Sequence, residues 1–208
     1  MKIGIIDYGM GNLFSVEQAV RRLGVEAVVT SDIALLAQMD GLILPGVGAF
    51  PDAMKRLEEE KLVDFIHQMK AANKPLLGIC LGMQLLFEAS EEVAPTKGLN
   101  IFKGTIKKFR DVSRIPHMGW NELEFTNTPD WKTEALEELA AYVYFVHSFY
   151  ATDMKEEELM AYADYEQVKV PGIVQSGSFV GMQFHPEKSG RYGVKLLESW
   201  LKGVEETC

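Results

Sequence analysis

Leu76-Leu77-Gly78-Ile79-Cys80-Leu81-Gly82-Met83-Gln84 decides how the chain is built. Residues 76–79 are a short apolar strand, and Asn73-Lys74-Pro75 before it breaks the preceding helix. An apolar, helix-like run, 83–89, leaves it. A strand that turns into a helix at Gly-x-Cys-x-Gly has the form of a nucleophile elbow with cysteine for serine. The flanking glycines are needed because the turn is sharp and backbones pack closely around it. Cys80 then sits at a helix N-terminus, where the dipole and free N–H groups favour thiolate over thiol. The plain alternative is a buried small hydrophobe, since free cysteine is among the most buried residue types. The two glycines and the strand-to-helix setting favour the nucleophile.

Upstream of the elbow, strand and helix alternate. Residues 2–7 and 26–30 are short apolar strands. Between them Leu13, Val16, Val20 and Leu23 recur at helical spacing, with Gly24 as the stop. Ser31-Asp32 starts a helix over 33–39, and 41–44 is a buried strand ended by Pro45-Gly46. Met54, Leu57, Leu62, Phe65, Ile66 and Met69 form one helical stripe. Continuous apolar strands between amphipathic helices indicate a parallel sheet covered on both faces. Downstream, residues 104–109, 122–125, 141–149, 160–165, 173–176 and 179–184 all read as strands, several joined by short turns. That predicts hairpins and antiparallel pairing in the second half. Residues 191–204 read as a closing helix. No repeat, low-complexity segment or linker divides the 208 residues, so one domain over 1–208 is expected.

Composition bounds function only loosely. Apolar residues make up 47% and charged residues 25%, as in a soluble globular protein. The net charge of −9 argues against nucleic acid and anionic membrane surfaces, which need clustered Lys and Arg. The start, MKIGIIDYG, has no signal-peptide pattern, and no apolar run approaches the ~18 residues of a membrane span. Two cysteines, Cys80 and Cys208, fit free thiols in a reducing, cytoplasmic setting. Cys208 is expected to be a spectator.

A thiolate nucleophile needs an acid/base partner. Among four histidines, His185 in Phe184-His185-Pro186-Glu187 is best placed, at the end of a strand-like run. Pro186 biases His185 toward extended backbone, in which residues i and i+2 point the same way. Glu187 then stands beside the imidazole and fixes its tautomer, the acid's role in a triad. An oxyanion hole needs two donors. The Leu81 N–H directly after the nucleophile is one. Pro45-Gly46-Val47-Gly48 supplies the other, being rich in residues that let backbone N–H groups face a ligand. Neither Gly9-Met10-Gly11 nor Gly46-Val47-Gly48 completes a dinucleotide-binding motif, because Phe14 and Pro51 occupy the third glycine positions. No Cys/His cluster has zinc spacing, so neither metal nor cofactor is expected.

These residues together resemble the class I, triad-type glutamine amidotransferases over essentially the whole chain. G-I-C-L-G-M-Q at 78–84, P-G-V-G at 45–48 and F-H-P-E at 184–187 match that family's nucleophile, oxyanion and His/Glu motifs. The resemblance implies a flavodoxin-like α/β fold: a mainly parallel central sheet, helices on both faces and an added antiparallel portion. D-Y-G-M-G-N-L at 7–13, I-P-H-M-G-W-N at 115–121 and Y-F-V-H-S at 144–148 resemble the branch of the family that serves histidine biosynthesis. For that branch Cys80, His185 and Glu187 are the catalytic triad. Val47, Gly48, Leu81, Gln84, His147 and Ser148 are the oxyanion and substrate contacts. Asn12, His117, Trp120, Asn121, Tyr144 and Lys188 face a partner. The implied reaction is hydrolysis of glutamine to glutamate and ammonia through a Cys80 thioester. Ammonia then passes through a tunnel to a separate cyclase subunit. The cyclase joins it to a phosphoribosyl intermediate (PRFAR), giving imidazole glycerol phosphate and an aminoimidazole carboxamide ribotide (AICAR). The length leaves no room for that cyclase, so a heterodimer is expected. In the family the 45–48 loop is ready only once the partner binds its substrate, and Gly46 and Gly48 permit such a peptide flip.

Other readings are the glutaminase subunit of a different synthase, such as one making anthranilate, a non-catalytic or redox-sensing protein on the same fold, and a cysteine peptidase. The 115–121 stretch favours the histidine pathway over anthranilate. The presence of both His185 and Glu187 speaks against the non-catalytic reading.

Overall fold

A computed structural model of the chain describes residues 1–132, 136 and 139–207. The first half runs β1 (Lys2–Ile6), α1 (Leu13–Arg22), β2 (Glu26–Thr30), α2 (Ile33–Leu36), β3 (Gly41–Gly46), α3 (Phe50–Glu59), α4 (Leu62–Ala71), β4 (Leu76–Cys80) and α5 (Leu81–Leu85). Then follow β5 (Phe87–Ser90), β6 (Thr96–Lys97), β7 (Phe102–Lys108), β8 (His117–Glu122), β9 (Glu124–Phe125), β10 (Tyr142–His147), β11 (Phe149–Thr152), β12 (Leu159–Tyr165), β13 (Val168–Ser176), β14 (Phe179–Met182) and α6 (Gly190–Thr207).

The central sheet has eight strands in the order β2-β1-β3-β4-β14-β13-β12-β9. Every pairing from β2 to β14 is parallel, and those beyond it are antiparallel. The alternation of strand side chains separates two cores. Ile3, Ile5, Ile43, Leu77 and Ile79 point to one face, where α1 and α6 bring Val16, Val20, Leu197, Trp200 and Leu201. Ile6, Leu42, Leu44 and Leu76 point to the other, where α3 and α4 bring Met54, Leu57, Phe65 and Ile66. The expected architecture, a mainly parallel sheet covered on both faces with an antiparallel portion in the second half, is the one observed. Among the described residues no helix is long and apolar enough to cross a membrane.

Four local readings differ. The stripe from Met54 to Met69 is two helices, because Lys61 between them takes a left-handed φ of 58°. The helix after the elbow ends at Leu85, and Phe87–Ser90 is a strand pairing with Phe102–Lys108. An apolar run this short suits either element, and tertiary pairing decided it. The expected strand over 141–149 is split at Ser148, since β10 pairs with β8 and β11 pairs with β7. The 115–121 stretch, not among the expected strands, contributes most of β8 itself. Cys208 lies outside the described residues.

Candidate active site

Three neighbouring strands of the parallel run, β3, β4 and β14, end at one edge of the sheet. In open α/β sheets ligands bind outside the carboxyl ends of the strands. Here β3 leads into Val47 and Gly48, β4 ends on Cys80, and the chain leaving β14 reaches His185.

Cys80 has φ 55° and ψ −114°, a left-handed conformation that strains any residue with a Cβ by ~1–3 kcal/mol. Its surroundings enforce it sterically. A Cβ on Gly82 would overlap the Leu44 carbonyl oxygen. One on Gly78 would lie 2.8 Å from the Gly82 carbonyl oxygen, and one on Gly46 only 2.5 Å from the Gly82 nitrogen. The glycines around Cys80 are therefore a packing requirement of the elbow. Tyr8, buried beneath, donates its hydroxyl proton to the Pro45 carbonyl at 2.8 Å and so anchors the base of the 45–48 loop. Burial and the nearby Cys80 charge push the Tyr8 pKa up, which keeps the hydroxyl a donor. Gly48 has φ 102°, and Val47 at the loop tip is exposed.

His185 is extended, with φ −97° and ψ 97°. Its Nδ1 lies 2.8 Å from Glu187 Oε1. The expected contact is present, but by another route. Pro186–Lys188 is a 3-10 turn that folds Glu187 back onto the ring, rather than a continued extended strand. Glu187 Oε2 is buried without a hydrogen-bond partner among the described residues, so His185 is the carboxylate's main compensation. Burial alone pulls the His185 pKa down. Hydrogen bonds to Cys80 and Glu187, and their negative charges, outweigh it and raise the value to about 9. Ser189 steadies the segment: its Oγ donates to the His185 carbonyl at 2.7 Å and accepts from the Tyr144 N–H at 2.9 Å.

A cavity of about 380 Å³ opens over these groups. Cys80, His185, Val47, Gly48, Leu81, Gln84, His147 and Ser148 line it, so the structure brings together the expected nucleophile, the expected base and every expected oxyanion and substrate contact. Asn12 and Lys188 line it too. Glu92 is the one acidic side chain in the lining, held by the Phe50 N–H at 2.9 Å. A larger cavity, about 520 Å³, lies at the opposite end of β4 and β14, near Pro75, Ser178, Trp131 and Trp200, and contains none of these groups.

His147 sits against a second histidine. Its Nδ1 is 2.7 Å from the Phe149 carbonyl, and its Nε2 is 2.9 Å from His117 Nδ1. Burial drives the His147 pKa down to about 3, with the hydrogen bond to Phe149 opposing and the His117 and His185 charges assisting. His147 is thus a neutral ring that donates from Nδ1. His117 was expected on the partner face, and the structure corrects this. It is 0% exposed, stacked between Phe145 and Tyr165, with Nε2 2.8 Å from Asn121 Oδ1. On β8 side chains alternate, so His117 faces inward while Met118 and Trp120 face out. Asn121 is half-buried and also donates to the Asp164 carbonyl at 3.1 Å. Trp120 is 52% exposed, and its ring lies 5.9 Å from that of half-buried Tyr144.

Glu92, Tyr8, Ser189 and Gln183 belong to the site and were not singled out by motif. For Gln183 a signal existed, as the one polar side chain in the run Phe179-Val180-Gly181-Met182-Gln183-Phe184. Tyr8 lies in the quoted 7–13 stretch but no role could be read for it there, and Glu92 and Ser189 gave no signal, because all three roles come from packing across elements.

The glutamine amidotransferase class-I family model matches residues 4–203. The imidazole glycerol phosphate synthase subunit HisH of Bacillus thuringiensis subsp. konkukian (strain 97-27) is 51% identical over 206 residues, 99% of this chain and 96% of that protein. The same subunit of Bacillus cereus (strain AH187) is 50% identical over the same shares. Among solved structures, a glutamine amidotransferase superposes with a TM-score of 0.76 at 20% identity, covering 98% of each chain. PurLQS from Thermotoga maritima gives 0.76 at 19% identity and the same coverage. These two speak for the fold. The elbow, the His–Glu pair behind it and the family match over nearly all of its length make this chain a member of the class I glutamine amidotransferases.

Proposed function

We propose that this chain is the glutaminase subunit of an imidazole glycerol phosphate synthase, one amidotransferase domain over 1–208 that works in the cytoplasm with a separate cyclase subunit. The observation that carries the chemistry is a strained Cys80 sharing a 380 Å³ cavity with His185, itself 2.8 Å from Glu187. The relatives at 51% identity support the choice of synthase.

In this reading the Cys80 thiolate attacks the side-chain amide carbon of glutamine. The N–H of Leu81 and an N–H of the Val47–Gly48 loop receive the negative oxygen. His185, charged beside Glu187, passes its proton to the departing nitrogen, and ammonia leaves. The γ-glutamyl thioester remains. His185, now neutral, takes a proton from water, which cleaves the thioester to glutamate and restores the thiolate. Glu92 and Gln84 suit the α-ammonium of glutamine, as the acidic side chain and a carboxamide of the same lining. Ammonia then passes to the cyclase, which converts PRFAR to imidazole glycerol phosphate and AICAR.

The outward face of the β8–β10 ribbon suits the partner. Met118, Trp120 and Tyr142 are 54%, 52% and 46% exposed on it, beside Tyr144. Contiguous exposed apolar side chains mark interaction surfaces. Asn12 and Lys188, also expected toward the partner, line the cavity itself.

The test is glutamate release from glutamine by the chain mixed with a purified cyclase subunit and its phosphoribosyl ligand. Release is expected to rise with the ligand and vanish in Cys80→Ala. Release indifferent to the cyclase, or surviving Cys80→Ala, overturns the reading.

A further inference from the structure

Gln183 lies between β14 and His185, and its side chain is fully buried. Its backbone N–H donates to the Gly172 carbonyl at 2.9 Å, which fixes the main chain there. A carboxamide in a core is unfavourable unless its polar atoms are used. Here the partners are site residues. Gln183 Oε1 accepts from Gln84 Nε2 at 2.9 Å, and Gln183 Nε2 lies 3.9 Å from Cys80 Sγ, within reach of an N–H···S contact.

The orientation of both amides follows from counting donors. Gln84 Nε2 meets two carbonyl oxygens, that of Phe149 and that of Gln183, each at 2.9 Å. Both its protons are used, and a flipped Gln84 would set oxygen against oxygen twice. Once Gln84 is fixed, Gln183 must present its oxygen to Gln84 and its NH₂ to Cys80. An N–H donor thus faces the sulfur, and one buried side chain spans the gap between Gln84 on α5 and Cys80 on β4.

We propose that Gln183 is a positioning residue for the glutaminase reaction: it holds the Gln84 amide so that its carbonyl oxygen is free for the substrate, and it donates to the Cys80 thiolate. This rests on the glutaminase reading above. An N–H facing the sulfur stabilises negative charge on it, and both variants remove that N–H. Losing the acceptor frees Gln84 to rotate.

Two variants separate the roles. Gln183→Glu keeps an oxygen for Gln84 and loses the N–H toward Cys80. Gln183→Met fills similar volume and loses both. The first readout is alkylation of Cys80 by iodoacetamide in the isolated chain. Both variants are expected to react about fivefold more slowly near pH 7 and at the wild-type rate near pH 10. A change of packing or access would slow both pH values alike. The second readout is glutaminase kinetics in the cyclase complex. Gln183→Glu should lower kcat with little change in KM, whereas Gln183→Met should also raise KM about tenfold. Wild-type alkylation near pH 7 with wild-type KM in Gln183→Met overturns the proposal, as does equal slowing at both pH values. If the wild-type complex releases no glutamate, the glutaminase reading fails instead, and the alkylation arm still decides whether Gln183 acts on Cys80.

Discussion

Gly46 on β3 is the parallel register partner of Cys80 on β4. Neighbouring strands lie ~4.8 Å apart, so this pairing alone sets the start of the Val47–Gly48 loop beside Cys80. Hydrogen bonding between the strands, rather than the loop's own conformation, makes a cysteine and a distant glycine-rich turn one site. The close approach is possible only because neither Gly46 nor Gly82 has a Cβ.

Gly82→Ala is therefore expected to destabilise the fold by about 3 kcal/mol or more, because its Cβ would overlap the Leu44 backbone and neither α5 nor β3 can yield. Gly9→Ala is the control. Its φ is 83° but no atom of the described residues lies within 4 Å of the added Cβ, so it should lose only ~1 kcal/mol. Urea denaturation of both variants measures the difference, and equal losses would contradict the steric account.

His185 should titrate in the isolated chain near pH 9, well above its ordinary 6.5. Removing the Glu187 carboxylate takes away one of the two groups that raise it. Glu187→Gln should lower the midpoint by a unit or more, read from the ring C–H resonance in NMR, and reduce kcat by a factor of 100 or more. The sign for stability follows. With the folded pKa raised, the contribution is complete below pH 6.5 and disappears as pH rises through about 9. Urea stability should fall over that window more in wild type than in Glu187→Gln.

His147 works in the opposite direction. Its folded pKa, near 3, lies below the ordinary 6.5, so the unfolded chain binds the extra proton between those values. Stability should decline as pH falls from 6.5, by up to ~1.4 kcal/mol per unit. His147→Gln keeps a polar side chain and cannot titrate, so its stability should depend less steeply on pH there. Parallel slopes in the two proteins would remove His147 as the source.

Trp120→Ala should weaken cyclase binding about 10- to 100-fold in calorimetry, with little change in melting temperature, since the side chain is half in solvent. His117→Ala should do the reverse. It empties a site between Phe145 and Tyr165 and removes the partner of His147 Nε2, so melting temperature falls. A large fall in melting temperature for Trp120→Ala would place it in the fold rather than at an interface.

Motifs with a local cause were legible. Gly78-Ile79-Cys80-Leu81-Gly82 reads as an elbow because strand, turn and helix are consecutive there. His185 and Glu187 are two residues apart, close enough that either an extended chain or a tight turn brings them together, and the turn did so. Local ambiguity produced the misreadings: Phe87–Ser90 became a strand because Phe102–Lys108 pairs with it, and Ser148 divided one apolar run between two sheets. His117 was misplaced because its direction depends on strand alternation at β8, an element not read from the sequence.

The sequence by itself determined the parallel α/β plan and the family, and it singled out Cys80, His185 and Glu187 as the candidate triad, since each depends on spacing within one short segment. Only the tertiary structure decided that Gly46 stands beside Cys80, that Glu92 enters the cavity, that His117 is buried, and that Gln183 links Gln84 to Cys80. Those are contacts between residues 30 to 103 positions apart or directions set by register. No local pattern encodes them, because pairing and packing of whole elements bring them about.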